Sequence, residues 1–202
     1  MAGIGAAHLM VGKILSEEQG EPISYDTPRE LGPLIEISVS PEYRDLALWG
    51  SNAQQENDAG ISGGSISLNL THVSMENEAY LYGFESLGDD NGYVITDKAA
   101  PYMGFGYIQT VLEKGVQKFH GYFWKKAQFT MSQRSARTKE ENINYQTPTA
   151  NGRVYAVEDN TEGNAQFELH NEFTTSAEAL AWVESCFTPA ASQANAEANA
   201  EA

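Results

Sequence analysis

This 202-residue chain is poor in several things: it has one cysteine, Cys186, seven prolines, and only twelve basic residues against twenty-eight acidic ones. A lone cysteine excludes an intramolecular disulfide framework and any zinc site built of cysteines alone, and it suits a reducing compartment. The formal net charge of −16 makes the chain as a whole repel polyanions, which argues against tight nucleic-acid binding. No long hydrophobic run is present. The first fifteen residues are apolar but carry no basic n-region, are interrupted by His8 and Lys13, and are too short to span a bilayer, so they read as an early strand. Nothing directs secretion, so the sequon Asn69-Leu70-Thr71 is a chance match.

What is there is enough for one core. Hydrophobic residues make up 41% of the chain, which at this length fits a single globular domain. Ile35, Ile37 and Val39 alternate with Glu36 and Ser38, and Ile66, Leu68 and Leu70 alternate with Ser67 and Asn69, the pattern of strands with one wet face. Tyr102 to Leu112 and Val116 to Met131 predict a long hairpin turning at Lys114-Gly115. In its second strand, strict alternation puts Phe119, Phe123, Ala127, Phe129 and Met131 on a core face. It puts Lys118, His120, Tyr122, Trp124, Lys126 and Gln128 on a polar, aromatic face suited to a partner or to solvent. Asn91-Gly92 and Asn151-Gly152 read as turns, the latter between strands ending near Thr149 and starting at Arg153.

Two helices are predicted. Ser74 caps a short one from Met75 to about Tyr82, and Thr175 with Glu178 forms a capping box ahead of the apolar stripe Ala179, Leu180, Val183, Cys186 and Phe187. From Pro189 to Ala202 no large apolar residue occurs, so residues 189–202 are expected to form a disordered tail beyond a domain of residues 1–188. The charged stretch from Ser132 to Asn142 reads as a mobile loop.

Signs of chemistry are sparse. His8, His72, His120 and His170 are dispersed, with no spacing that would bind metal. Cys186 sits on an apolar stripe and is expected to be a buried, inert thiol. The acidic pairs Glu17-Glu18, Asp89-Asp90 and Glu140-Glu141 lie in turn-like, polar surroundings typical of solvated surface. Asp89-Asp90-Asn91-Gly92 lacks the later ligands of a calcium loop. Gly104-Phe105-Gly106 and Gly63-Gly64 lack the rest of a dinucleotide or phosphate loop, and they read as bulges or close backbone approaches within strands. No catalytic, cofactor-binding or metal residue is assigned, and the chain is expected not to be an enzyme.

Taken in order, several short segments resemble the major tail proteins of siphophages, in the branch common in phages and prophages of Gram-positive bacteria. They are Tyr25-Asp26-Thr27-Pro28 with Leu31, Ile35 to Val39, the strand ending near Trp49-Gly50-Ser51-Asn52, and Gly63-Gly64 ahead of a short helix. Ala100-Pro101-Tyr102 then leads through Gly106-Tyr107 into Tyr122-Phe123-Trp124-Lys125-Lys126-Ala127-Gln128-Phe129, followed by Asn144-Tyr145-Gln146-Thr147-Pro148-Thr149 and Gly152. The likeness covers about residues 9 to 157.

The resemblance implies a mainly β, sandwich-type tail-tube fold with a flanking helix. It implies hexameric rings of this chain stacked into a virion tail tube, assembled in the host bacterial cytoplasm and conducting double-stranded DNA without binding it specifically. The implied partners are further copies, a tape-measure protein inside the tube, and tail tip and terminator proteins, with no membrane and no cofactor. Ring and stack contacts both join unlike faces, and the basic residues concentrated from Lys114 to Lys139 in an acidic chain are a candidate source of complementarity. A capsid decoration protein or another virion protein is the competing expectation.

Overall fold

The computed structural model describes residues 2–18, 21–50, 53–88, 92–134, 147–158 and 165–188. The expected tail at 189–202 lies outside the described residues, as do Asp89, Asp90 and Asn91 and most of the stretch from Ser132 to Asn142. The chain is mainly β. Strands β1 (Ala2–Ser16), β2 (Ser24–Tyr25), β3 (Arg29–Glu30), β4 (Leu34–Gly50) and β5 (Ala53–Leu70) precede helix α1 (Met75–Tyr82). There follow β6 (Glu85–Ser86), β7 (Tyr93–Val94), β8 (Tyr102–Glu113), β9 (Val116–Thr130), β10 (Thr149–Tyr155), β11 (Leu169–Phe173) and helix α2 (Ser176–Ser185).

All strands except the small β6–β7 pair belong to one antiparallel sheet. β2 and β3 share one edge of β1, which pairs on its other side with β8, and β8 with β9. The far edge of β9 is divided: β11 takes Phe119 to Phe123, and β10 takes Lys126 to Thr130. β10 continues the sheet to β5 and then to β4 at the edge. Pro41 is tolerated inside β4 because an edge strand has one side that no neighbour uses. The expected β8–β9 hairpin closes at Lys114 (φ 51°) and Gly115 (φ 85°), two consecutive left-handed residues as a two-residue hairpin turn requires.

A bulge rewrites the predicted faces of β9. Met103 pairs with Ala127 but Phe105 with Trp124, so β9 spends one more residue than β8 at Lys125–Lys126. The Tyr25 hydroxyl donates to the Lys125 carbonyl oxygen at 2.9 Å, tying the kink to β2. Inward-facing positions therefore change parity, and Trp124, expected on the polar face, is only 2% exposed. Met131, expected in the core, lies past the end of β9 and is exposed. Ile35 is exposed for a related reason: pairing passes from Leu34–Leu70 to Glu36–Asn69, leaving Ile35 as the extra residue of a bulge.

Asn151-Gly152 is a second correction, since both residues lie inside β10. A Cβ at Gly152 would stand 2.5 Å from the Gln128 carbonyl oxygen, so the glycine serves close strand approach and makes no turn. Gly104 and Gly106 do the same in β8, where a Cβ would meet the Tyr25 ring at 2.6 Å and the Tyr122 carbonyl oxygen at 2.7 Å.

Apolar side chains fill both sides of the sheet's centre. The larger core joins Leu9 and Val11 of β1, Phe105 of β8, Trp124 and Phe129 of β9, and Ile66, Leu68 and Leu70 of β5. The sheet curls so that β1 and β5, far apart in strand order, share this core. Helix α1, capped by Ser74 accepting from the Asn77 amide, contributes Tyr80 and Leu81. The Tyr80 hydroxyl accepts from the Lys13 amide at 2.9 Å, and the Arg29 guanidinium stands 3.9 Å from its ring centroid. On the opposite face α2 brings Ala179 and Val183, and Phe187 just beyond it, against Met10, Ile108 and Phe123. Its N-terminus carries the full capping box predicted from Thr175 and Glu178.

Candidate functional site

The predicted chemistry-bearing residues are scattered over this frame. His8 lies beside Glu30 at 3.5 Å, Glu17 is paired with Lys126 at 2.5 Å, and His72 is next to Thr71 at 3.3 Å. Cys186 follows α2 half-buried, and burial pushes its thiol up to about 11, the reverse of an activated nucleophile. No group of three or more His, Cys, Asp or Glu among the described residues is placed to hold a metal ion. No helix among them is long and apolar enough to cross a membrane.

The polar, aromatic face expected on β9 supplies Lys118, His120, Tyr122 and Trp124 to one grouping, whose partners on β8 and β11 were not legible in the sequence. On the inner face of β8, β9 and β11, Phe105 stacks on Trp124 with centroids 4.8 Å apart, and Tyr107 stacks on Tyr122 at 5.3 Å. The ladder then turns polar. The rings of His120 and His170 flank Tyr122, the Tyr122 hydroxyl is 3.4 Å from His120 Nδ1, and His120 Nε2 is 3.2 Å from Glu172. Lys118 Nζ bridges Glu172 at 2.7 Å and Glu113 at 2.8 Å.

In this Tyr–His–Glu chain the phenol and the carboxylate are shifted in opposite directions. Desolvation raises the pKa of the Tyr122 and Tyr107 phenols, which keeps them protonated, and Glu172 is held below the usual carboxylate range first by its hydrogen bond from Lys118. Glu168 is raised by burial despite His170 at 3.4 Å. The arrangement fastens β11 to β9. From Lys118 to Arg134 the described basic residues are likewise engaged within the chain: Lys118 as above, Lys125 with Gln166, Lys126 with Glu17, and Arg134 with Glu78. Arg137 and Lys139 lie outside the described residues.

The geometry that stands out is at the ends of the sheet. β10 releases β5 at Gly63, and from there to the β4–β5 connection the two strands pair, among the described residues, with each other alone, from Tyr43–Ile61 to Gly50–Ala53. This two-stranded arm begins where the core stops. The inward stripe Leu68–Ile37 and Ile66–Val39 continues through Gly64–Pro41 to the cross-strand pair Tyr43 and Ile61, which are 69% and 38% exposed. The β8–β9 tip likewise exposes Leu112 and Val116, near Ile4 of β1.

No family model matches the chain, and no curated protein matches it in sequence. The functional reading therefore rests on the residues themselves and on their arrangement.

At the other end of β5, a recess of about 640 Å³ opens between α1, the end of β9 and the start of β10. Leu70, Val73, Leu81, Tyr82 and Met131 give it an apolar floor, with Glu78 and Arg134 among its polar lining. Burial raises the Tyr82 phenol to about 12. A smaller recess of about 200 Å³ lies alongside, lined by Phe84, Ile95 and Phe129, and it shares Tyr82 and Met131 with the first. The chemistry these features offer is strand pairing along the arm and apolar contact in the recesses.

Proposed function

We propose that this chain is a structural subunit that assembles with copies of itself into a tube, the tail tube of a long-tailed bacteriophage, through which DNA passes. The observation that carries this reading is the unsupported arm of β4 and β5. A two-stranded ribbon is marginally stable alone, and exposed strand edges invite pairing, so an arm of this length is built to be covered by another molecule. The outer edges of β4 and β11, unpaired among the described residues, offer further strand pairing to neighbours.

The segment resemblance supplies the specific assembly: hexameric rings, stacked, around a tape-measure protein and closed by tip and terminator proteins. Net charge fits the conduit role, because an acidic protein gives the phosphate backbone little to hold and DNA slides without sticking. In this reading the chain binds no cofactor and catalyses nothing, and its place is the virion tail.

Negative-stain electron microscopy of the purified, concentrated protein, with size-exclusion chromatography, tests the proposal. Hollow tubes or six-fold rings are expected. Trimers without tubes would replace it with a capsid decoration role.

A further inference from the structure

The sheet has an opening at the root of the arm. β10 and β11 take the same edge of β9 and run the same way, Tyr155 standing opposite Lys126 and Leu169 opposite Phe123, so β11 resumes the line that β10 leaves. On the other side of β10 lies β5, from Asn69 opposite Thr149 to Gly63 opposite Tyr155. Carried straight on past Gly63, β5 would run beside β11, with about residues 56–60 level with Phe173 to Leu169. No ladder joins the two among the described residues: β11 pairs with β9 alone, and β5 there pairs with β4 alone. Two strand edges on adjacent lines of the sheet thus stay open.

Polarity selects what closes the opening. β5 is antiparallel to β10, and β11 runs as β10 does, so β5 and β11 are antiparallel to each other. A strand inserted between them would have to lie parallel to one of the two, in a sheet whose every ladder is antiparallel. Direct pairing of β5 with β11 keeps the sheet antiparallel and needs no second molecule, because β10 already tethers the arm beside its target. A joint is also present. Gly60, Gly63 and Gly64 cluster where β10 lets go, and the β4–β5 ladder slips by one residue there, between Glu42–Gly63 and Tyr43–Ile61.

We propose that β11 is a docking edge for the arm of its own chain, which bends at these glycines to pair β5 with β11. Closed, the arm shields its own inner edge and the outer edge of β11 from unwanted pairing. Open, as in this structure, it is available to a partner. The inference concerns the single chain and does not depend on the tube reading; if both hold, the arm is parked on its own subunit until a neighbour takes it.

Hydrogen exchange of the monomer, at concentrations where sedimentation shows no association, tests it. In the open form every second amide of β11 points away from β9 and exchanges freely, whereas closure is expected to slow those amides about tenfold. The comparison is a shortened chain in which Asn-Gly replaces residues 44–60, joining the ladder pair Tyr43 and Ile61 by a two-residue turn. That variant should lose the added protection on β11 and keep the protection of β8 and β9. Free exchange in the wild type, equal protection in both chains, or protection that falls on dilution overturns the proposal. If the shortened chain does not fold, nitroxides on Asp58→Cys and Asn171→Cys in a Cys186→Ala background decide it. Facing strands place Cβ atoms about 5 Å apart, so strong dipolar broadening is expected in the monomer, and its absence overturns the docking. Tubes or their absence by electron microscopy leave either result unchanged.

Discussion

The same two strands, β4 and β5, belong to two different environments. Near Leu70 they lie over the core, with Leu68 and Ile66 fully buried and paired to Ile37 and Val39. Beyond Gly63 they keep the hydrogen-bond ladder with each other but lose β10 on one side, and Tyr43 and Ile61 there are exposed. The β4–β5 ladder is thus common to both halves, and what differs is the second ladder from β5 to β10 and the burial of Ile66 and Leu68 against the exposure of Tyr43 and Ile61. Stability in the body comes from side-chain packing, and the arm contributes little until something covers it.

Breaking the body should show this most strongly. Phe105 is fully buried and packs against Trp124 and Phe129, so Phe105→Ala is expected to cost about 4 kcal/mol, read as a lower urea midpoint at unchanged slope. On the other face, Phe187 meets Phe123 at 4.9 Å and Tyr25 at 5.5 Å. Phe187→Ala should lose about 3 kcal/mol and deprotect α2 in hydrogen exchange before the strands. Thr175→Ala removes the acceptor for the Glu178 amide and should lower stability by about 1 kcal/mol, seen as a fall in Tm of several degrees.

The arm supplies the contrast. Ile61→Ser should change monomer stability by less than about 0.5 kcal/mol in the same urea titration. A large loss there would mean that the arm is already part of the cooperative core.

The smallest effect belongs to the ion cluster on β11. The Lys118 hydrogen bond holds Glu172 below its ordinary value of 4.5, with a further contribution from His120. A depressed carboxylate contributes fully above pH 4.5 and loses that contribution as pH falls through its folded value, so the window lies below 4.5. Glu172→Gln should flatten the acid limb of the stability curve there and leave neutral pH nearly unchanged; an equally steep limb would assign the slope to other carboxylates.

Features coded by a few adjacent residues were legible in the sequence. Ser74 and Thr175–Glu178 marked both helices, and Lys114-Gly115 marked the long hairpin, because caps and two-residue turns are satisfied locally. The bulge at Lys125–Lys126 was not legible, since Gly104 and Tyr25, which accommodate it, lie far away in sequence. Asn151-Gly152 misled because the dipeptide favoured in hairpin turns also lets two backbones approach closely, and only the neighbouring strand decides between them. Both recesses escaped detection for a related reason. The larger is walled by α1 and the ends of β9 and β10, the smaller by the end of α1, residues 95–100 and the end of β9, which alternation within a strand cannot bring together. Charge was legible as a total and not as a pattern, for the basic residues described from Lys118 to Arg134 meet partners inside the chain.

The pairing of β1 with β8 has a consequence for how the protein is made. Ala2 to Lys13 find their ladder partners at Met103 to Leu112, roughly a hundred residues later. β1 finds local partners only in the short β2 and β3, and its long ladder waits for a segment far along the chain. The sheet cannot zip from its beginning. β4–β5 and β8–β9 each close over a short connection, whereas β1 with β8 closes a loop of about ninety residues or more, so that pairing is the costliest in chain entropy within the central sheet.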